Sequence, residues 1–361
     1  MASSLTHMQV VEFFRDAENA SSRFTPKDWE LLLRQARRTN LLCRTAFLVD
    51  KKNLIDRVPE QLRYHLEGAT MTADSNLRSV RWEVSKIYEA LEQIKSPLVL
   101  LKGAAYVLQN CDAANGRLFS DVDIMVKKDR LEDSERNLYQ NGWISTKIDA
   151  YDQKYYREWM HELPPMRNLK RRSELDVHHT IIPPTAHLKT DIQKIWDRVE
   201  PIPGYPGMFA LSSIDMILHS AAHLFHEGEF DQGLRDLVDL DALLKEQAGK
   251  DPSFWEKLPE RAQELNLSRP LYYGLRYCRK LLATPIPEDC YRKVSTLGAP
   301  IHLYRYVMDK MLLKAMTPSC IHHPNSFAGL SKFILFVRSH YLRMPLTLLI
   351  PHLIRKSLRP E

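Results

Sequence analysis

The sequence predicts a mixed α/β (α+β) core with a helical lobe on either side, and three observations carry that expectation. The apolar run Leu98-Val99-Leu100-Leu101 follows the helix-breaking pair Ser96-Pro97, as a buried strand does. In residues 120–126, Val122, Ile124 and Val126 alternate with Asp121, Asp123 and Met125, the period-two signature of a strand. The stretches before and after both runs repeat apolar residues at helical spacing. With 361 residues and 44% hydrophobic content, the chain is long enough for a sizeable core or for packed lobes. We place the boundaries at 1–95, 96–200 and 201–361.

Residues 10–95 read as several packed helices. Pro26 follows Thr25 at a first-turn position, and Trp29, Leu32, Leu33 and Ala36 recur at helical spacing. Segments 62–66 and 77–91 continue in that manner. Val80, Val84, Ile87, Tyr88 and Leu91 form a stripe that faces a core. Arg34, Arg37, Arg38 and Arg44 are read as a solvated outer face. Lys102-Gly103 closes the first strand, a short helix carries Val107 and Leu108, and a polar connection over 110–116 leads to the aspartate strand.

Residues 129–138 return as a helix that Asn141-Gly142 ends, and 143–148 is a short strand candidate. Residues 151–160 are aromatic and charged, helical or irregular. Lys170-Arg171-Arg172 reads as a turn between extended segments 161–166 and 173–180, either solvated or in contact with an anionic acceptor. Prolines at 183–184 and 201–206 read as linkers bounding the core. A helical pair is expected over 211–244, then helices broken at Pro259, Pro270, Pro285 and Pro287. Residues 333–358 are apolar and basic. They suit either core helices or a surface helix resting on a membrane, because arginines flank the apolar positions.

Composition excludes several classes. A net charge of +6 is compatible with anionic substrates but too small to argue nucleic-acid binding by itself. The five cysteines, Cys43, Cys111, Cys278, Cys290 and Cys320, are far apart and odd in number. They form neither a zinc motif nor a disulfide framework and suit a reducing compartment. Residues 1–7 show no basic start before an apolar core, and no run is long enough to span a bilayer. A cytoplasmic protein is expected, with membrane contact limited to the C-terminus.

The chemistry centres on Asp121-x-Asp123. Same-face neighbours on a strand lie roughly 6.5–7 Å apart, and two half-buried carboxylates repel each other and lose hydration. A cation above the strand offsets both penalties, and Mg²⁺ suits it because that ion takes one or two carboxylates plus substrate phosphates. The pair alone is a weak signal. Its context strengthens it: Lys102-Gly103 precedes it, Arg117 lies four residues upstream, and Glu174-Leu175-Asp176 follows. Glu174, Asp176 and His178 share one strand face, and Leu175, Val177 and His179 the other.

Leu101-Lys102-Gly103, Arg117-x-x-x-Asp121-x-Asp123-Ile124 and Asp176-Val177-His178 resemble the uncharacterised nucleotidyltransferase family of the DNA polymerase beta superfamily. Those proteins carry Lys-Gly where many relatives have Gly-Ser. The resemblance covers 98–244 and, more loosely, the helical flanks. It implies a polymerase-beta-like mixed sheet and Mg²⁺-dependent transfer of a nucleoside monophosphate from an NTP, ATP among them, with release of pyrophosphate. Asp121 and Asp123 would hold two Mg²⁺ ions, and Asp176 would complete the set and take the acceptor's proton. Glu174, on the same face, is the alternative third carboxylate. Lys102, Gly103, Arg117 and Ser120 would meet the nucleotide phosphates. Glu174, His178, His223 and Arg235 would support those groups, the last two from a His-bearing helix and an Arg-Asp helix.

The acceptor stays open: small molecule, saccharide, peptide, protein side chain or RNA end. A catalytically inactive member that binds nucleotide or a partner is the alternative, and an RNA-binding protein is a further rival resting only on modest positive charge. His219 and His223 stand one helical turn apart with His226 near, a spacing that suits either zinc or a packed helix. Tyr151, Tyr155, Tyr156 and Trp159 suit either base stacking or packing.

Overall fold

Seven short strands build one mixed sheet in the computed structural model, which describes residues 8–228, 230–318 and 327–358. They are β1 (Leu98–Leu100), β2 (Asp121–Met125), β3 (Trp143–Ser145), β4 (Met166–Asn168), β5 (Glu174–His178), β6 (Glu200–Pro201) and β7 (Met208–Ala210). Their order is β3-β4-β5-β2-β1-β7-β6. The centre is set by β2, antiparallel to β1 and parallel to β5. Every residue of β1 is buried, as expected of an apolar run with cover on both faces. The mixed α/β fold with flanking helices agrees with the sequence reading.

Local chemistry explains the element boundaries. Helix Pro26–Arg38 starts from a reciprocal cap: Thr25 Oγ1 accepts from Asp28 N–H (3.3 Å), and Asp28 Oδ2 accepts from Thr25 N–H (2.9 Å). Segments 62–66 and 77–91 prove to be parts of one 32-residue helix, Glu60–Leu91. Asn76 on that helix clamps the chain before β2, accepting from Phe119 N–H (2.8 Å) and donating to its carbonyl (3.0 Å). Helix Ser213–Ala222 runs into a π-turn, His223–Glu227, closed by Gly228 at φ 76°.

Several expectations need correction. The stretch read as a linker at 201–206 leads straight into strand: β6 pairs with β7, and β7 lies parallel to β1, so the sheet continues past residue 200. Pro259 does not break a helix but lies within Phe254–Glu264. It forfeits one hydrogen bond in mid-helix, while Leu258 and Pro259 are buried against the core. Pro270 stands in the first turn of Ser268–Leu282, whereas Pro285 and Pro287 do separate helices. Arg171 is not a solvated turn residue. Its guanidinium grips the Glu83 carboxylate (2.8–3.0 Å) between the Trp82 and Trp143 rings. Cys43, Cys111, Cys278 and Cys290 are free and buried. Cys320 and residues 1–7 lie outside the described residues.

Candidate active site

In-register pairing of β2 with β5 sets Asp123 beside Asp176 and Asp121 beside Glu174, with His178 beside Met125. Four carboxylates and an imidazole therefore share one face of two neighbouring strands. Asp123 is 5% exposed; Asp121 and Asp176 are half-buried, and Glu174 is exposed. Val122 and Ile124 turn to the opposite, buried face with Leu175 and Val177.

Lys102 enters from the turn after β1. Its backbone holds φ 41°, a left-handed conformation that costs an L-residue roughly 1–2 kcal/mol, and its Nζ lies 3.0 Å from Asp123 Oδ1. Leu101 N–H donates to the Asp123 carbonyl (2.9 Å), which ties this turn to β2. Gly103 is buried, and a Cβ there would overlap the Phe119 ring. Ser120 is exposed and its hydroxyl donates to Asp121 Oδ1 (3.2 Å).

His178 Nε2 lies 3.0 Å from the same Asp123 oxygen. Burial pulls the His178 pKa down, and an ionised carboxylate only accepts, so Nε2 carries the proton and donates. Its Nδ1 faces Glu162 Oε2 at 3.5 Å, and the His161 ring stacks on it at 5.0 Å. Among the described residues His161, Glu162 and His178 form the group with metal-binding spacing, their donor atoms lying within 4.8 Å of one another. Sequence reasoning passed over His161 and Glu162. Pairing the extended segments 161–166 and 173–180 as a hairpin would have brought Glu162 near His178 and His179; the bridge to His178 lies one residue out of the register that sets Met166 opposite Leu175.

Charge is unevenly spread across this cleft. Burial works against ionisation of Asp123, but Lys102 and His178 outweigh it and hold its pKa far below the usual carboxylate range. Burial and the neighbouring Asp123 push Asp121 up. Burial, then Asp123 and Asp121, push Asp176 up to about 7. His219 is driven down to about 3 by burial, then by Lys102 and His178. His223, in the π-turn, falls well below its ordinary value through burial and Lys102.

The arginines lie in a second cluster. Arg44, expected on an outer face, is buried and donates to Asp239 Oδ1 (2.8 Å) and the Asp112 carbonyl (3.3 Å). Arg117 contacts the other Asp239 oxygen and lies 3.9 Å from Asp236, with the Phe119 ring 5.1 Å away. Arg235 is bound to Asp236 (2.8 and 2.9 Å). Burial lowers Arg44 and Arg117 to about 10. Neither Arg117 nor Arg235 pairs with Asp121, Asp123 or Asp176.

With this geometry established, the sequence profile of a family described as uncharacterised nucleotidyltransferase matches residues 25–283. The chain belongs to that family. In this nucleotidyltransferase family member the match takes in all seven strands and both charge clusters, and stops before helix Glu288–Gly298. No curated protein and no solved structure matches the chain.

Proposed function

We propose that this family member moves a nucleoside monophosphate from an NTP to an acceptor hydroxyl and releases pyrophosphate, using Mg²⁺ held by Asp121, Asp123 and Asp176. The observation that carries this reading is the register of β2 against β5. It gathers carboxylates around one lysine on Asp123, and burial, then Asp123 and Asp121, raise Asp176 to about 7. A cleft of hard oxygen donors short of positive charge fits a divalent cation. When bound, Mg²⁺ supplies charge neutralisation for the triphosphate and a lowered pKa for the acceptor hydroxyl.

The chain's own residues divide the remaining work. Asp176, paired in register with Asp123 and more enclosed than Glu174, is the group we assign to accept the acceptor's proton. Neutral His178 donates Nε2–H to Asp123 and fixes the carboxylate's orientation. Lys102 Nζ carries three donors, enough to hold Asp123 and a phosphate oxygen together. Ser120, at the exposed edge, offers a hydroxyl beside Asp121. Arg117 would reach a phosphate only by exchanging its ion pair with Asp239. His223 and Arg235 would act through their neighbours, by closing the cleft over substrate.

The test is incubation of the full chain with each labelled NTP, Mg²⁺ and a cell extract, with pyrophosphate release followed in parallel. A labelled product lost on adding EDTA supports the proposal. One observation favours the inactive-member reading: Lys102 and His178 already occupy Asp123 Oδ1. NTP binding without Mg²⁺ dependence and without pyrophosphate release would establish that reading instead. Cytoplasmic residence belongs to the same proposal, and no described helix is long and apolar enough to cross a membrane.

A further inference from the structure

Sixteen of the twenty-five exposed large apolar side chains among the described residues fall between 301 and 354, and the other nine are scattered over the rest of the chain. Scattered ones are ordinary, but a concentration marks an interaction surface. Helix Ala328–Arg343 shows why this is not leftover core. It turns Ser331, Leu335 and Ser339 inward, with Ser339 against Gly228. Leu330, Phe333, Ile334, Val337 and Tyr341 face outward. At 100° per residue those five lie within about one third of the circumference, opposite the buried serines. That is the reverse of a helix built to cover a core.

Its neighbours repeat the pattern. In helix Leu346–Leu358, Leu349 and His352 are buried while Leu346, Ile350, Leu353 and Ile354, spaced i, i+4, i+7 and i+8, are exposed. Helix His302–Met316 packs against Ala328–Arg343 and adds exposed Leu303, Tyr306 and Val307.

Charge selects the occupant. Residues 301–361 carry nine Lys and Arg against two Asp and Glu, a net +7, whereas the whole chain is +6. The entire positive balance therefore rides on the segment that carries the apolar face. Lys332 and Arg355 are paired with Asp231 and Asp149, and Lys310 and Lys314 lie over the Tyr306 and Phe327 rings. Long basic side chains beside apolar stripes can snorkel towards phosphates.

We infer that this face docks on a bilayer surface containing anionic lipid, its aliphatic and aromatic side chains entering the acyl boundary while the basic ones meet the headgroups. A second copy of the chain fits worse, because a twofold contact sets the same positive patch against itself. The docked helices are rooted beside the candidate active site. Tyr155, Tyr156 and Trp159 pack on Met344 and Leu349, and Tyr151 Oη bonds His352 Nδ1 (3.0 Å), on the segment that runs into His161 and Glu162. The inference does not rest on nucleotidyl transfer.

The test is co-sedimentation of the full chain with vesicles of phosphatidylcholine alone and of phosphatidylcholine with phosphatidylglycerol. We expect pelleting with the anionic vesicles, weakened by salt. Phe333→Asp with Ile354→Asp should lower the partition about tenfold or more with an unchanged melting temperature. Lys310→Glu with Lys314→Glu, which leaves the apolar face whole, should reduce only the preference for anionic vesicles. Absence of pelleting with either vesicle overturns the inference. So does pelleting that neither variant alters, or self-association of the free chain that the Phe333→Asp, Ile354→Asp variant abolishes.

Discussion

Two buried charge clusters lie within the matched family span, and they are built on opposite terms. Around Asp239 every charge has a partner, three guanidiniums on two carboxylates: Arg44 and Arg117 take one oxygen of Asp239 each, and Asp236 engages Arg235. Around Asp123 that is not so. Asp121, Asp176 and exposed Glu174 share the face with one lysine, and burial, then Asp123 and Asp121, raise Asp176 to about 7. A matched cluster holds a fold together, because removing one partner strands the other in low dielectric. An unmatched one holds an unfavourable charge in readiness for something that brings the missing cation. The first is a structural joint; the second is where the proposed function places its ligand.

The contrast can be broken from either end, and the largest effect is expected in turnover. Asp121→Asn should cut Mg²⁺-dependent NTP turnover about a hundred- to a thousandfold, as loss of a dedicated charge-stabilising group does, while the circular dichroism melt stays near the wild type. Asp239→Ala should do the reverse. It strands Arg44 and Arg117 and should cost about 3–5 kcal/mol in a urea titration.

Asp176→Asn sharpens the comparison further, because it should abolish turnover yet stabilise the metal-free protein. The folded pKa lies above the unfolded value near 3.9, so the wild type keeps this contribution below pH 4 and loses it as pH rises towards 7. The variant's advantage should therefore grow between pH 4 and 7 and level off near pH 8 at roughly 4 kcal/mol or less. Stability that fell short of wild type at pH 8 would show that the cleft is not short of positive charge. The smallest effect is the response to Mg²⁺ itself. Saturation at about a hundred times Kd adds about 2.7 kcal/mol, visible as a rise in melting temperature that EDTA reverses. The rise should be larger at pH 8 than at pH 6, because bound cation and bound proton compete for Asp176.

Periodicity is a local property, which is why β1, β2 and β5 could be read from the chain. The alternation in 120–126 and 173–180 put Asp121, Asp123 and Asp176 on faces that the structure bears out. Partnership across the chain is not local. Nothing near Arg117 announces Asp239, 122 positions away, and the expectation of a phosphate ligand followed from its closeness to Asp121 in the sequence and from the family resemblance. His178 was singled out, but its bond to Asp123 depends on strand order. β7, just past the proline stretch at 201–206, escaped notice because three residues with neighbours on both sides carry no alternation to detect. Pro259 misled for a related reason: burial of the helix that holds it outweighs one lost backbone bond. The inward serines of Ala328–Arg343 needed coordinates, since sequence alone left residues 333–358 open between core helices and a surface helix.

The parallel neighbours β2 and β5 are more than 50 positions apart, and a parallel pair forms only after the intervening chain has crossed over. Contacts of such sequence separation form slowly. A nascent chain that has emerged only as far as Val126 holds two aspartates but not the third, so the complete chelating set cannot assemble until the crossover has closed. If the proposed function holds, divalent-ion binding should therefore be absent until β5 has emerged and paired with β2, and its appearance would time the closing of that crossover.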